Sequence, residues 1–366
     1  MSRARWPLLA TLALLANPVQ AQDNNAIEDL RPKGAQFPDN MGIVDLPIGP
    51  VPAEFAAAAS NAETISDAVF GPRVDAAYGA FQRGFYLTAL SLALPRAEKG
   101  DKAAQTLIGE IYSKGLGVAE NPKSAADWYR LASQRGDQLA TFELALMYQE
   151  GRGVGEDRKR AAELFKQAAD AGNMMAKYNL GLLYIEGVYV EPNLVTAAQL
   201  IKEAAASGLA EAEYDYGGML TEGAGMAPDP TAAAEQFRLA SEAGLVAAQV
   251  DYATVLYLGK GVPKNRPEAV KWYQRAAEAG NAVAQNRYAK LLAAGEAVAP
   301  SLEDAAMWRA LARRQGLTDP VLDKLLVSIL PNDLSRAEER ARFWPSDPPT
   351  QVAENQPDAP ATDAPQ

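Results

Sequence analysis

Glycine recurs in this chain at a fixed interval. Gly100, Gly136, Gly172, Gly208, Gly244, Gly280 and Gly316 stand 36 residues apart, and Gly115, Gly151, Gly187, Gly223, Gly259 and Gly295 form a second ladder with the same step. A unit of that length holds two short helices and two turns. Such a unit cannot hide its apolar face alone and must stack on its neighbours, so the period points to a solenoid and not to a domain built round one core. This overrides the two or three globular domains that 366 residues would otherwise suggest.

Six full units follow one another at 101–136, 137–172, 173–208, 209–244, 245–280 and 281–316. The first helix of each carries an invariant alanine: Ala104, Ala140, Ala176, Ala212, Ala248 and Ala284. Five residues on, the position is always tiny: Gly109, Ala145, Gly181, Gly217, Ala253 and Ala289. The residue before it is large, from Ile108 to Tyr288, so small and large side chains share one helical stripe. Tiny residues at a fixed place let two helix backbones approach closely. The second glycine ladder fits the left-handed turn that ends this helix.

After a short loop comes a residue able to cap the second helix: Asn121, Asp157, Asn193, Asp229, Asn265 or Ser301. Each type can accept a hydrogen bond from an otherwise free helix N–H. Pro122 and Pro230 follow directly, at the first helical position that proline favours. The second helix then repeats Ala125, Ala161, Ala197, Ala233, Ala269 and Ala305, with bulky anchors such as Trp128, Leu164, Trp272 and Trp308. Gln236 and Arg309 break this pattern. Recurrence at the core period assigns these large groups to packing.

Outside the repeats the chain changes character. Residues 1–21 read as an export signal: Arg3 and Arg5 precede the apolar run from Trp6 to Ala16, and Val19-Gln20-Ala21 resembles a small-residue cleavage site. Residues 22–73, broken by Pro32, Pro38, Pro47, Pro50 and Pro52, read as an extended or disordered leader. A shortened helix pair is expected over 74–100 as an N-terminal capping half-repeat. Residues 317–344 read as two C-terminal capping helices, one starting at Asp319-Pro320 with an apolar stripe of Val321, Leu322, Leu325, Leu326 and Ile329, the other capped by Asn332. Residues 345–366, rich in Pro, Asp and Ala, read as a disordered tail.

The stretches Ala-Gly-Asn-Met-Met-Ala-Lys-Tyr-Asn-Leu-Gly-Leu-Leu-Tyr at 171–184 and Gly-Lys-Gly-Val-Pro-Lys-Asn-Arg-Pro-Glu-Ala-Val-Lys-Trp-Tyr at 259–273 closely resemble Sel1-like repeats. The resemblance covers about 100–316 strongly and 74–99 more weakly. It implies an all-α fold, a right-handed superhelical solenoid of antiparallel helix pairs whose first helices line a concave face. It also implies an adaptor or scaffold, not a catalyst. Exported bacterial members include regulators of membrane sensor kinases and factors in envelope or exopolysaccharide assembly. Secreted members that staple each repeat with a disulfide are not a close guide, since this chain has no cysteine.

Composition narrows the chemistry. With neither cysteine nor histidine, thiol nucleophiles, thiolate metal sites and histidine general bases are excluded. A formal charge of −11 brings no counterion-release affinity for nucleic acid. Gly151-Arg152-Gly153-Val154-Gly155 has the look of a phosphate loop, but it follows a helix and recurs at the repeat period, so it reads as a turn. No catalytic, cofactor-binding or metal-binding residues are assigned, and no cofactor is expected. The candidate site is a row one position before each large core residue of the first helices, namely Glu143, Asn179, Asp215 and Asp251. Such a strip suits a peptide groove for a basic or donor-rich segment of an envelope protein. The expected function is therefore a non-enzymatic periplasmic interaction scaffold with no membrane span. The alternatives are an accessory of cell-wall or polysaccharide assembly that touches glycan directly, and a carboxylate-dependent hydrolase.

Overall fold

The computed structural model describes residues 75–187 and 190–346. The export signal and leader lie outside the described residues, as does the tail beyond Ser346. Among the described residues there are sixteen α-helices and no strand, and the helices pack in consecutive pairs as a repeat solenoid requires. Contacts divide the chain into two compact units, the first holding 75–137 and 152–154 and the second the remainder.

The first unit contains α1 (Ala76–Gln82), α2 (Tyr86–Glu98), α3 (Lys102–Lys114) and α4 (Pro122–Gln134). Arg96 of α2 fastens its start: its guanidinium reaches Asp75, the α1 N-cap, at 2.7 Å and Asp101, the α3 N-cap, at 2.6 Å. The α3–α4 pair depends on the tiny position. A Cβ placed on Gly109 would stand 2.6 Å from the Tyr129 ring, so only glycine lets this ring, 1% exposed, lie flat on the helix.

The second unit continues with five further pairs or part-pairs. First helices are α5 (Gln138–Glu150), α7 (Met174–Glu186), α9 (Ala210–Glu222), α11 (Val246–Leu258) and α13 (Ala282–Ala294). Second helices are α6 (Arg158–Asp170), α8 (Leu194–Ala205), α10 (Pro230–Glu242), α12 (Arg266–Glu278) and α14 (Leu302–Arg314). Each first helix packs on its own second helix, and each second helix packs on the next first helix. Ile201 of α8 and Phe237 of α10 fill the place of Tyr129, against Gly181 and Gly217. All six expected caps form: Asn121, Asp157, Asn193, Asp229, Asn265 and Ser301 each accept a backbone N–H within the first turn.

The C-terminal end comprises α15 (Pro320–Leu325), a 3-10 turn at Leu326–Ser328 and α16 (Pro331–Phe343). Arg309, out of pattern in the sequence, is 5% exposed and binds Asp323 of α15 at 2.7 Å and the Leu317 carbonyl at 2.7 Å. It marks where the repeat hands over to the cap. Trp344 completes the seal edge-on against Trp308, ring centroids 4.9 Å apart.

Two expectations about this cap need correction. Asn332 does not cap α16, because the helix already begins at Pro331 with Leu330 at the N-cap and no side-chain cap bond. Proline's fixed φ favours the first helical position and moves the start upstream. The apolar stripe also divides. Leu322 is buried and Leu326 and Ile329 pack on the core, whereas Val321 and Leu325 are exposed together with Val327 and Leu330. Leu322 and Leu326, four apart, share the side turned to the core, while Val321 and Leu325 share the adjacent side turned to solvent.

Candidate functional site

The row proposed from the sequence lies on a definable helix face. Residues spaced four, three and four apart share one side of an α-helix. In α5 these are Leu139, Glu143, Leu146 and Glu150; in α7, Met175, Asn179, Leu182 and Glu186. In α9 they are Glu211, Asp215, Gly218 and Glu222; in α11, Ala247, Asp251, Thr254 and Leu258. No Lys or Arg occupies any of these sixteen positions, and Leu139 and Met175 are exposed at 47% and 49%. The face is thus acidic with apolar insertions over four successive first helices.

The four predicted residues do not behave alike on it. Asp215 accepts a hydrogen bond from the Tyr178 hydroxyl of α7 at 2.7 Å, and Asp251 accepts one from Tyr214 of α9 at 2.8 Å. These carboxylates stitch one first helix to the next and keep only part of their acceptor capacity for a ligand. Burial pushes the Asp215 carboxyl above the usual carboxylate range; the Tyr178 hydroxyl opposes this and the charge of Glu211 adds to it. Burial, then the neighbouring carboxylate, raises both tyrosine hydroxyls. Asn179 turns its amide back to the Met175 carbonyl at 2.8 Å. Glu143 is half-buried and engaged within the fold. The structure brings Asp215 and Asp251 into a repeating motif and leaves Asn179 outside it.

Three acids missed in the sequence are better placed for an external partner. Glu150, Glu186 and Glu222 are the last residues of α5, α7 and α9, all exposed, and none pairs with a cation among the described residues. A carboxylate at a helix C-terminus opposes the macrodipole at a cost of about 0.3–1 kcal/mol. Three such acids in one register are therefore not explained by helix stability. The signal was present in the sequence as Glu one residue before the ladder glycines Gly151, Gly187 and Gly223.

The acidic run stops at α13. There Arg287 donates to the Thr254 and Tyr273 hydroxyls, and Lys290 pairs with Asp319 at 2.5 Å. Both cations are consumed within the fold. Among the described residues no group of three or more Asp or Glu side chains is arranged to hold a metal ion, and no helix is long and apolar enough to cross a membrane.

Comparison with known proteins agrees with the architecture of paired helices. The Sel1 repeat profile matches residues 102–137, 138–173, 175–209, 210–245, 246–281 and 282–317, more than half of the chain. The chain belongs to the Sel1 repeat family. A Sel1 repeat protein from Oxalobacter formigenes is similar in structure, with 28% identity and a TM-score of 0.58 over 65% of this chain and 98% of that one. A protective antigen present in uropathogenic Escherichia coli strains aligns over 76% of this chain and 70% of its own, with 24% identity and a TM-score of 0.49. No curated protein matches the sequence. Sel1 repeat proteins are generally non-catalytic scaffolds for protein–protein interaction. The helix pairs from α3 to α14 are Sel1 repeats, and the acidic face lies on first helices among them.

Proposed function

We propose that this Sel1 repeat protein is an exported, non-enzymatic scaffold that captures a basic or donor-rich segment of an envelope protein along the first-helix face of α5 to α11. The observation that carries the reading is that none of the sixteen positions of that face is Lys or Arg, combined with the exposed carboxylates of Glu150, Glu186 and Glu222, which pair with no cation among the described residues. Complementary charge steers a cationic segment to it and fixes its register, and the exposed Leu139 and Met175 supply apolar contact. Binding acts stoichiometrically: occupancy favours whichever state of the partner presents the segment. Periplasmic residence rests on the signal-like residues 1–21, and the role proposed there is regulation of an envelope or exopolysaccharide signalling system.

The test is photo-crosslinking in intact cells from a position on α7, compared with a Glu150→Lys, Glu186→Lys, Glu222→Lys variant. A protein crosslink that disappears in the folded triple variant supports the reading. A crosslink untouched by the reversal, or recovery of peptidoglycan or polysaccharide with no protein, overturns it, the latter in favour of direct glycan contact. Fractionation and the mature N-terminal sequence test export separately.

A further inference from the structure

In three repeats one register position makes a hydrogen bond at the junction with the preceding second helix; in α5 and α7 the position holds Thr141 and Lys177 instead. The fourth residue of the first helix faces the C-terminal end of the preceding second helix. Gln105 donates its amide to the Ala97 carbonyl at 2.9 Å, Gln249 to the Ser241 carbonyl at 3.4 Å and Gln285 to the Ala277 carbonyl at 3.2 Å. Each carbonyl also accepts the N–H of the ladder glycine three residues on, Gly100, Gly244 or Gly280. Both of its lone pairs are thereby used.

In α9 this position is Glu213, buried like the glutamines at 6% exposed. By the same separation of eight residues its counterpart is the Ala205 carbonyl, which already accepts the Gly208 N–H at 2.9 Å. An ionised carboxylate has no proton to offer that carbonyl. It also brings negative charge to the negative end of the α8 dipole. A neutral carboxyl has the missing donor, in the place that glutamine fills in three other repeats.

We propose that Glu213 is a proton-operated latch: uptake of one proton from solvent lets its carboxyl O–H donate to the Ala205 carbonyl and closes the α8–α9 junction, and release of that proton loosens it. The charged neighbours permit this. Arg238 of α10 is the cation whose field reaches Glu213, and it is already bound to Glu235 and Glu242, each at 2.6 Å. Lys177 of α7 is bonded to Glu203 of α8 at 2.7 Å. On α9 itself, Glu211 is exposed and Asp215 is held by Tyr178. Burial raises the Glu213 carboxyl from its ordinary value, with Arg238 pulling the other way.

The sign follows. With the folded value raised, the group is protonated in folded and unfolded chains alike below the ordinary carboxylate range, and the junction is complete. As pH climbs from there through the raised folded value, stability is lost. The latch is independent of what the acidic face binds.

The test uses the full chain and compares wild type with Glu213→Gln, Glu213→Met and the exposed control Glu339→Gln, by thermal unfolding and amide hydrogen exchange from pH 4.5 to 8. At the upper end, Glu213→Gln melts roughly 2–4 °C above wild type and exchanges more slowly in the first turn of α9, and this advantage fades toward pH 4.5. Glu213→Met, which removes the charge without restoring a donor, melts below Glu213→Gln. Glu339→Gln shows no such trend. A difference between Glu213→Gln and wild type that does not vary with pH, or Glu213→Met equal to Glu213→Gln, overturns the proposal.

Discussion

The Tyr178 hydroxyl donates to the Asp215 carboxylate at 2.7 Å, and Tyr214 repeats the bond to Asp251 one repeat later at 2.8 Å. Each bond joins two successive first helices. A hydrogen bond to a charged acceptor contributes more than a neutral one, and here the acceptor is half-buried. Tyr178→Phe is expected to cost about 1–2 kcal/mol. A double-mutant cycle with Asp215→Ala, read by urea denaturation, is expected to give a coupling of similar size. Additivity within about 0.3 kcal/mol would show that the pair is not coupled.

Two glycines inside helices give opposite predictions. Gly109 has the Tyr129 ring 2.6 Å from where a Cβ would stand, so Gly109→Val is expected to destabilise by about 1–3 kcal/mol through overpacking. Gly79, inside α1, has nothing within 4 Å of its built Cβ. Gly79→Ala is expected to stabilise by about 0.5–1 kcal/mol, because it removes backbone freedom from the unfolded chain. Thermal melts of both variants check the contrast.

The C-terminal cap is predicted to come off in acid. Asp319 is 8% exposed. Burial raises its pKa, but the bonds from Lys290, Asn286 and the Leu322 N–H outweigh that and hold it at about 2, below its ordinary 3.8. A depressed carboxylate contributes stability that is present above the unfolded value and lost as pH falls through the folded one. Loosening of the cap is therefore expected between pH 3.8 and about 2. Fluorescence of Trp344, edge-on against Trp308, reports it. In Asp319→Ala the cap should already be loose at neutral pH.

Ala297 holds a left-handed φ of 59°, at the register that glycine fills as Gly117, Gly153, Gly225 and Gly261 in other repeats. A Cβ in this region costs roughly 1–2 kcal/mol, partly offset by the extra unfolded-state freedom of glycine. Ala297→Gly is expected to be neutral to stabilising, by up to about 1 kcal/mol, measured by denaturant titration. A clear loss of stability would mean that the methyl group packs productively.

Local features were legible in the chain because their causes are local. The six N-caps depend only on a short polar side chain beside a helix start, and all six form the bonds their residue types imply. Gly109, Gly181 and Gly217 announced close helix contact by being small at a fixed step, and the rings or branched chains of Tyr129, Ile201 and Phe237 lie against them. The candidate site was only half legible. Counting one place back from a core residue found the right face but could not tell which carboxylates the fold itself uses. Asp215 and Asp251 are taken up by tyrosines 37 residues earlier, a partnership that exists only once repeats stack.

The sequence by itself determined the repeat, its length, its two helices and their caps, because periodic glycine, alanine and cap residues act over a few bonds of the chain. Only the tertiary structure decided which acids are free, why Arg309 and Asp319 belong to the cap, and that Glu213 stands in the register at which three other repeats turn a glutamine to a carbonyl. Those outcomes depend on burial and on partners brought in from neighbouring helices. Desolvation and hydrogen bonding between distant residues have no value until the helices are packed.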